Sequence, residues 1–249
     1  MAHTLRARLR HAANTWLAPL GLHLVRPERT FEMTGLLARA RARGWQAGTV
    51  IDVGASDGVW SRQARRFFPK AKYLLFEPLS ERQAALERLR QTHGFDFVPA
   101  AAGAEKGVAD FAIDPALDGS GVAAPGTRGT RSVPVEAIDD AVTTRRLPGP
   151  YLLKLDTHGF EIPVLTGANR VLAQTGLLII ETYNFTLGPG CLRFYELCAW
   201  LEARGFRCCD LADPMRRPRD GVLWQMDLAF MPKDSPLFTN NTYDWEHTL

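Results

Sequence analysis

Long apolar runs, paired cysteines and internal repeats are all missing from this chain of 249 residues. No segment approaches the 18 consecutive apolar residues of a membrane-spanning helix, so we expect no crossing of a bilayer. The four cysteines include no Cys-x-x-Cys pair, which argues against both a zinc site and a disulfide framework. The sequence therefore predicts reduced thiols in a cytoplasmic protein.

A strong excess of one charge is missing as well. The chain has 30 lysines and arginines against 27 acidic residues, and 46% of its residues are hydrophobic, which is enough for a folded core. Eight arginines and two glutamates fall within residues 1–48, so this part carries +6 and the remainder carries −3. A mildly acidic body without a basic groove is not typical of a protein that binds nucleic acid.

Apolar, β-branched segments alternate with helical segments through most of the chain, which predicts parallel β-α-β units with buried strands. A glycine-rich stretch within residues 108–135 separates two short strand patterns and predicts a β-hairpin insertion. We divide the chain into an arm (1–30), a main domain (31–232) and an irregular tail (233–249). The predicted strands are 49–54, 73–78, 95–101, 151–156, 177–182, 206–211 and 223–231, and the predicted helices are 31–44, 59–68, 80–94, 161–174 and 191–205.

A strand that ends in glycine and opens a helix stands at residues 50–58, VIDVGASDG. Such a turn forms a concave surface that faces a nucleotide in many α/β proteins, although it also occurs at ordinary strand–turn–helix corners. Gly54 and Gly58 do not follow the G-x-G-x-x-G spacing of dinucleotide sites, and Asp57 would repel a pyrophosphate. The segment therefore favours a nucleoside ligand that lacks phosphates and carries a positive centre.

An acidic residue, Glu77, ends the second predicted strand, 25 residues after Asp52. A carboxylate at this place accepts hydrogen bonds from ribose hydroxyls, because it offers two acceptor oxygens to two neighbouring donors. The alternative is a solvent-exposed acid at a strand end. The apolar residues before Glu77 place it at the edge of a crevice instead, so the glycine turn and Glu77 together predict a nucleoside site.

Further acidic residues and a histidine follow the next two predicted parallel strands. Asp156 ends one strand, His158 and Glu161 come directly after it, and Glu181 ends the next. Ligands of open α/β sheets bind at the carboxyl ends of the strands, so we expect these side chains near the reactive end of the ligand.

The roles of these residues have alternatives. His158 is the first candidate for a general base, since its ordinary pKa is about 6.5, and Asp156 is the second. His158 would also suit an exposed loop, and Glu161 would suit the first turn of a helix, where the dipole favours a negative charge. Asp156 and Glu181 would suit a hard cation, but the ligand spacing of a dedicated site is missing, so we predict no metal.

Six segments in a fixed order resemble the FkbM family of S-adenosylmethionine-dependent methyltransferases: IDVGASDGVWS, LLFEP, DGSGV, LLKLDTHGFEIPVLTGA, LIIET and LWQMDLAF. The most specific part is the DxxGxE core formed by Asp156, Gly159 and Glu161. The resemblance spans about residues 30–232. It implies a class I methyltransferase fold, which is Rossmann-like, with a mostly parallel seven-stranded sheet and helices on both faces. It also implies S-adenosylmethionine as cofactor and methyl transfer to oxygen, in a family tied to polyketide, glycolipid or surface-polysaccharide tailoring.

The resemblance also implies roles for individual residues. Glu77, followed by Pro78, would hold the ribose, and Asp156 would face the site of methyl transfer. The methionine part would lie against Asp52, Val53, Gly54, Ala55, Ser56, Asp57 and Gly58, and the adenine against Ala100, Ala101 and Ala102.

Three other functions compete with an O-methyltransferase. An NAD-dependent oxidoreductase on a Rossmann-type sheet would need the missing glycine pattern. A nucleic-acid methyltransferase would need aromatic stacking beside Asp156. A non-catalytic nucleoside-binding module would be expected to have lost the acids at the strand ends. The sequence therefore favours O-methyl transfer to a hydroxyl of a sugar, glycolipid or secondary metabolite, although no segment carries a recognisable code for the acceptor.

The N-terminal arm combines basic and apolar residues. Arg6, Arg8 and Arg10 alternate with leucines, and Trp16 and Leu20 follow at near-helical spacing. A basic amphipathic helix can lie on the anionic inner face of a membrane, which would suit a glycolipid acceptor. Apolar helical stripes more often pack on the body of the protein or on a second subunit, which would give a homodimer. Both interpretations are expectations for this arm.

Overall fold

The structure is a computed structural model that describes residues 12–21, 24–25 and 30–243. Its helices are α1 (Met33–Ala42), α2 (Val59–Arg65), α3 (Ser80–His93), α4 (Ile138–Arg145), α5 (Glu161–Thr166), α6 (Asn169–Leu172) and α7 (Phe194–Glu202). Its strands are β1 (Thr49–Val53), β2 (Lys72–Phe76), β3 (Asp96–Val98), β4 (Ala101–Gly103), β5 (Gly107–Ala112), β6 (Gly121–Val122), β7 (Arg131–Ala137), β8 (Tyr151–Leu155), β9 (Thr175–Tyr183), β10 (Phe206–Arg216) and β11 (Leu223–Pro232).

The central sheet has seven strands in the order β10-β11-β9-β8-β1-β2-β3. Pairing is parallel from β9 through β8, β1 and β2 to β3, so the carboxyl ends of these strands meet at one edge. β11 pairs antiparallel with β10, to which a short turn at residues 217–222 joins it. It also pairs antiparallel with β9. The prediction of a mostly parallel seven-stranded sheet is confirmed, and the sheet is mixed rather than purely parallel.

Both faces of the central sheet are covered, which explains why its inner strands are apolar throughout. All five residues of β1 and all five of β8 are buried. On one face, α1, α2 and α3 contribute side chains such as Leu36 and Leu86, and on the other, α4 to α7 contribute side chains such as Ile138 and Leu197. Each fully buried aliphatic side chain stabilises the fold by about 1.5–3 kcal/mol. The predicted helices on both faces are thus confirmed.

The predicted insertion forms part of a second sheet, with the order β4-β7-β5-β6. β5 pairs antiparallel with β7, as predicted, while β4 pairs parallel with β7 and β6 pairs antiparallel with β5. Beneath this sheet, Leu79, Phe111 and Val133 form a small hydrophobic core that is separate from the main core. The insertion is therefore a folded layer and not a loose loop.

Three elements differ from the sequence prediction. The single strand expected at 95–101 divides into β3 and β4, which belong to different sheets. The single helix expected at 161–174 divides into α5 and α6, because the chain at Gly167 runs so close to Gly103 that a Cβ would collide with its carbonyl oxygen. Helix α4 was not predicted at all, since its apolar stripe is short and directly follows the strand pattern of β7.

The two ends of the chain are described in part. Residues 12–17 are helical, and Trp16 is 84% exposed and Leu20 72% exposed. Residues 1–11, with the three arginines of the arm, lie outside the described residues, so membrane contact and homodimer formation stay predictions. No described helix is both long and apolar enough to span a bilayer. In the tail, Phe238 packs against the core, and residues 244–249 lie outside the described part. The four cysteines are free thiols, as predicted.

The attachment of α1 to β10 generates a stability prediction. Arg39 Nε and Nη2 donate to the two carboxylate oxygens of Asp210 at 2.7 and 2.8 Å, and both side chains are about six-sevenths buried. We expect Arg39→Met to lower the free energy of unfolding by about 1–3 kcal/mol, because the largely desolvated Asp210 carboxylate loses its bidentate partner. Urea unfolding followed by circular dichroism measures this.

The matched control is Arg90→Met, which removes the exposed Arg90–Glu87 pair on α3. Exposed pairs contribute below about 1 kcal/mol. Equal losses in the two variants would show that Arg39 does not anchor α1.

Candidate functional site

A cavity of about 230 Å³ lies at the carboxyl ends of β1, β2 and β8. Its walls are mainly apolar, and part of them comes from residues 114–122, which we call the insertion loop. Ala100 is buried behind this surface and does not line it. The lining residues include Val53, Gly54, Ser56, Phe76, Glu77, Pro78, Ala101, Ala102, Phe111, Val122, Asp156 and His158. Most of the predicted cofactor residues therefore share one cavity.

Glu77 is the acidic group on the apolar side of this cavity. Its side chain is almost fully buried, and its two oxygens accept hydrogen bonds from the backbone N–H groups of Ser56 and Leu79, each at 2.8 Å. Burial raises the pKa of Glu77, against the lowering effect of these two N–H groups. Each carboxylate oxygen keeps a second lone pair, so Glu77 can still accept from two hydroxyls.

The glycine turn approaches β8 very closely. Gly54 has φ = 76°, and a Cβ at this position would collide with the carbonyl oxygen of Asp156. Only glycine combines that backbone conformation with so short an approach. Gly58, with φ = 75°, packs against Leu89 and lines neither cavity of the site. The two glycines therefore shape the turn from opposite sides.

A second cavity of about 500 Å³ adjoins the first, between the glycine turn, α1, α2 and β11. Its walls are more polar, and they include Ala55 and Asp57 of the turn together with Trp60, Lys154 and Asp227. The two cavities share Gly54, Ser56, Arg82, Asp118 and Asp156 as lining residues. A ligand longer than a nucleoside can therefore extend from one cavity into the other past Asp156.

A buried lysine connects the strand ends beneath these cavities. Asp52 and Lys154 are paired across β1 and β8, and Lys154 Nζ lies 3.6 Å from Asp52 Oδ1 and 2.9 Å from Asp156 Oδ2. Burial alone would lower the pKa of Lys154, but Asp156 and Asp52 raise it above its ordinary value, so the lysine stays charged. The ammonium thereby fixes one oxygen of Asp156.

The position of Asp52 corrects the sequence analysis. We expected Asp52 to lie against the cofactor, but it has no exposed surface and lines neither cavity. Its side chain points from β1 toward α2, where Ser61 Oγ donates to it at 2.7 Å. Asp52 therefore acts through Lys154 and Ser61 rather than by direct contact.

Asp156, His158 and Glu181 come together at the junction of β8 and β9, as predicted. His158 Nε2 lies 3.4 Å from Asp156 Oδ1 and 3.6 Å from Glu181 Oε2. Tyr183 and Gln225 donate hydrogen bonds to the Glu181 carboxylate. One donor atom from each of the three residues falls within 4.8 Å of the others, a spacing that also fits a divalent cation, so the expectation of no metal stays a prediction.

The orientation of the His158 ring is set from the insertion loop. Its Nδ1 lies 3.1 Å from the carbonyl oxygen of Ser120. A carbonyl only accepts, so Nδ1 carries the hydrogen, and the lone pair of the neutral ring lies on Nε2. His158 also has φ = 51°, a left-handed conformation that is uncommon outside glycine. The insertion loop and this turn together aim Nε2 at the two carboxylates.

Burial gives the two carboxyl groups of this cluster different proton affinities. It raises the pKa of Glu181 to about 8, with the neighbouring Asp156 as the second cause. Burial acts in the same direction on Asp156, but Lys154 more than offsets it and lowers the pKa of Asp156 below its ordinary value. At neutral pH, Asp156 is ionised and Glu181 retains a proton.

Glu161 does not reach either cavity. It is buried, and its Oε1 accepts hydrogen bonds from the Gly159 backbone N–H at 2.8 Å and from Thr157 Oγ1 at 3.1 Å. These bonds tie the turn between β8 and α5 together. Of the two interpretations of Glu161, catalytic or structural, the structure favours the structural one, because the carboxylate faces its own turn.

Several residues of this site escaped the sequence analysis. Lys154 sits inside an apolar strand, and Trp60 and Asp227 sit inside segments interpreted as a helix and a strand. The signal was present in part, since Lys154 stands within a strand that is buried along its whole length, and Asp227 stands between the buried Met226 and Leu228. A charged residue in a buried strand requires a partner, and Lys154 has Asp52 on β1 and Asp156 directly after β8.

A family model, described as the methyltransferase FkbM domain, matches residues 52–208, more than half of the chain. The chain belongs to the FkbM methyltransferase family. The fold is accordingly that of a class I methyltransferase, and the cofactor of the family is S-adenosylmethionine. A search of curated proteins gave no match.

Several solved structures of methyltransferases are similar to this chain. The methyltransferase FkbM from Methylobacillus flagellatus KT is 16% identical, over 73% of this chain and 43% of that one, with a TM-score of 0.48. The 1,6-didemethyltoxoflavin-N1-methyltransferase of Burkholderia thailandensis is 16% identical over 93% and 88%, with a TM-score of 0.44. The precorrin-6y C5,15-methyltransferase of Geobacter metallireducens is 12% identical over 82% and 91%, with a TM-score of 0.43. The chain thus spans less than half of the Methylobacillus protein.

The raised pKa of Glu181 predicts a pH dependence of stability. A carboxyl whose pKa is raised by folding adds stability below its unfolded value of about 4.5, and this contribution is lost as the pH rises through about 8. We expect the melting temperature of the unliganded protein to fall between pH 6 and pH 9. The melting temperature of Glu181→Gln should fall less over the same range, because glutamine has no proton to lose. Differential scanning fluorimetry across this range measures the slopes.

The control for this measurement is Glu105→Gln, which changes an exposed glutamate. Its slope should match that of the unmodified protein. Parallel slopes for Glu181→Gln and the unmodified protein would contradict the assignment of the proton to Glu181.

Proposed function

We propose that this chain transfers a methyl group from S-adenosylmethionine to a hydroxyl of a sugar, glycolipid or secondary metabolite. The observation that carries the proposal is the cluster of Asp156, His158 and Glu181, in which Asp156 lines both cavities and His158 lines the first. It offers the Nε2 atom of an imidazole ring that Ser120 orients, at the place where the reactive end of a bound nucleoside would lie. A hydroxyl must lose its proton during methylation, and this nitrogen is a suitable acceptor.

The first cavity fits the adenosine part of the cofactor. Its walls are apolar where a purine would lie, with Phe76, Ala101 and Phe111 among them, and Glu77 is the acidic residue on this side of the cavity. The two lone pairs of Glu77 that remain unused match the two hydroxyls of a ribose. When bound, S-adenosylmethionine supplies a methyl group on a positively charged sulfur, which suits the ionised Asp156 nearby.

Each residue of the cluster has a different role in the proposed reaction. His158 accepts the proton of the acceptor hydroxyl at Nε2, while Nδ1 keeps its hydrogen on the Ser120 carbonyl. The ionised Asp156, whose Oδ1 lies 3.4 Å from Nε2, then stabilises the imidazolium by its negative charge, and Glu181 Oε2 lies 3.6 Å from the same nitrogen. Lys154 holds Asp156 in place throughout. Alignment of hydroxyl, methyl and sulfur supplies most of the remaining rate enhancement.

An aromatic surface beside Glu181 supports a ring-shaped acceptor. Tyr183 contacts Trp224 edge to face at 6.2 Å between ring centroids, and Phe185 lies 5.0 Å from Trp224. Arg217 covers Phe185 at 4.5 Å. Aromatic faces with a polar partner suit the C–H face and hydroxyls of a sugar ring. A glycan or glycolipid therefore remains the acceptor class that we propose.

The ribose role of Glu77 gives the first functional prediction. We expect Glu77→Ala to weaken binding of S-adenosylmethionine by about 1–3 kcal/mol, the usual effect of losing a hydrogen-bonded charged partner. Because Glu77 also holds two backbone N–H groups, Glu77→Gln serves as the milder variant, with a smaller loss in the same direction. Isothermal titration calorimetry gives both affinities. If a folded Glu77→Ala protein bound S-adenosylmethionine as tightly as the unmodified protein, Glu77 would not hold the ribose. The control is Glu202→Gln, which changes an exposed glutamate.

The roles of His158 and Asp156 give the second functional prediction. We expect His158→Ala and Asp156→Asn to bind S-adenosylmethionine nearly normally and to lower turnover by roughly 10²-fold or more. Turnover is measured as label transferred from methyl-labelled S-adenosylmethionine to a host glycan or lipid extract, with product detection by mass spectrometry. A full rate in His158→Ala at every pH would rule out His158 as the base. Labelled nucleic acid or no labelled product at all would contradict the proposed acceptor class.

A further inference from the structure

The turn between β10 and β11 combines basic and apolar residues at the surface. Residues 215–222, which we call the basic turn, have the sequence MRRPRDGV, with three arginines and one aspartate. Their net charge is +2, whereas the chain after residue 48 carries −3 overall. Met215 is 46% exposed and Val222 is 41% exposed, so exposed apolar side chains flank the arginines. This combination distinguishes the turn from the mildly acidic body.

Hydrogen bonds within the basic turn give it a fixed shape. The Arg217 backbone N–H donates to the Val222 carbonyl oxygen at 2.8 Å, which closes the turn. Arg217 Nε donates to Asp220 Oδ1 at 3.0 Å, so one arginine matches the charge of the single acid. Arg216 and Arg219 are exposed, and they hold the remaining positive charge on this closed turn.

The N-terminal arm joins the body beside the basic turn. The Asp213 backbone N–H donates to the Phe31 carbonyl oxygen at 2.6 Å, and Asp213 stands on β10 two residues before Met215. Phe31 is 67% exposed, and Trp16 and Leu20 are more exposed still. These three side chains belong to none of the hydrophobic clusters of the described residues. Exposed apolar side chains in such number are typical of an interaction surface.

Charge and apolarity together decide which partner fits this surface. A second copy of the chain, docked by the same surface about a two-fold axis, would bring the arginines of both turns together, and like charges repel. Nucleic acid would match the arginines through its phosphates, but it would leave the apolar side chains without a partner. An anionic lipid surface matches both, because its phosphates attract arginine and its headgroup layer accepts apolar and aromatic side chains.

We propose that the basic turn docks on an anionic lipid surface, with the apolar side chains of the arm beside it. Arg216 and Arg219 contact the lipid phosphates, and Met215 and Val222 enter the headgroup layer. This contact goes beyond methyl transfer and does not depend on it.

Docking by this surface would also bring the proposed acceptor site to the membrane. Arg217 covers Phe185 at 4.5 Å, and Trp224 stands two residues after the basic turn. The aromatic surface of Phe185 and Trp224 would therefore lie next to the lipid headgroups, where a glycolipid reaches it without leaving the bilayer. This consequence rests on the proposed function, whereas the lipid contact itself does not.

The experiment is sedimentation of the full chain with lipid vesicles, made either of equal parts of phosphatidylglycerol and phosphatidylcholine or of phosphatidylcholine alone. We expect the chain to pellet with the anionic vesicles and not with the neutral ones, and to pellet less at high salt, because salt screens surface charges. Arg216→Gln/Arg219→Gln should bind the anionic vesicles about tenfold more weakly. The matched control, Arg88→Gln/Arg128→Gln, removes two exposed arginines elsewhere and should bind like the unmodified protein.

A second set of variants tests the apolar residues. Met215→Ser/Val222→Ser and Trp16→Ser should each weaken binding about tenfold at both salt concentrations. Val108→Ser, which changes an exposed valine of β5, should not. Unchanged melting temperatures show that the variants are folded.

Equal pelleting with the two kinds of vesicle, or with neither, would overturn the proposal, and so would an equal loss of binding in the two arginine double variants. A larger sedimentation coefficient in the absence of vesicles, lost in Met215→Ser/Val222→Ser, would assign the surface to a second copy instead. Binding to an oligonucleotide in place of vesicles would assign it to nucleic acid. Vesicle binding by a chain that transfers no methyl group to a host glycolipid extract would support the lipid contact and reject the proposed function.

Discussion

The site depends on one buried charge, the ammonium of Lys154. It is buried between Asp52 on β1 and Asp156, which directly follows β8, and without it the fully buried Asp52 carboxylate would have no cationic partner among the described residues. An ion pair of this kind contributes little net stability, because desolvation offsets most of the attraction, but removal of one partner is costly. The arrangement therefore fixes geometry. It holds Asp156 ionised and immobile at the point where the two cavities meet.

Part of the site could be predicted from the sequence, because ligands of open α/β sheets bind at the carboxyl ends of the strands. Asp156, His158 and Glu181 were expected to meet because parallel strands bring their carboxyl ends to one edge, and they do. A position at a strand end does not indicate how deeply the side chain is buried. Asp52 and Glu161 stand at the same edge, yet neither lines a cavity. Asp52 faces α2, because successive side chains of a strand point to opposite faces of the sheet. Glu161 is the first residue of α5 and faces the turn before that helix.

Residues from the middle of elements were harder to predict, and so was the insertion. Trp60 has an apolar body that fits an ordinary core position, and it is distinguished by an indole N–H that has no hydrogen-bond partner among the described residues. Asp227 joins the site only because β11 pairs with β9, a long-range contact with no local signal in the sequence. The hairpin between β5 and β7 was predicted from turn residues, but its packing over the first cavity depends on β4, which the prediction merged with β3.

The hydrogen bond from His158 to the insertion loop joins two properties that are separate in principle. Ser120 belongs to the layer that walls the first cavity off from water, and its carbonyl also decides which nitrogen of the imidazole is basic toward the cluster. In the function we propose, the same contact therefore both closes one side of the nucleoside cavity and orients the proton acceptor. If the insertion loop moved away, the imidazole would lose the acceptor that fixes its tautomer, so the proposed base would be set only while this wall of the cavity is in place.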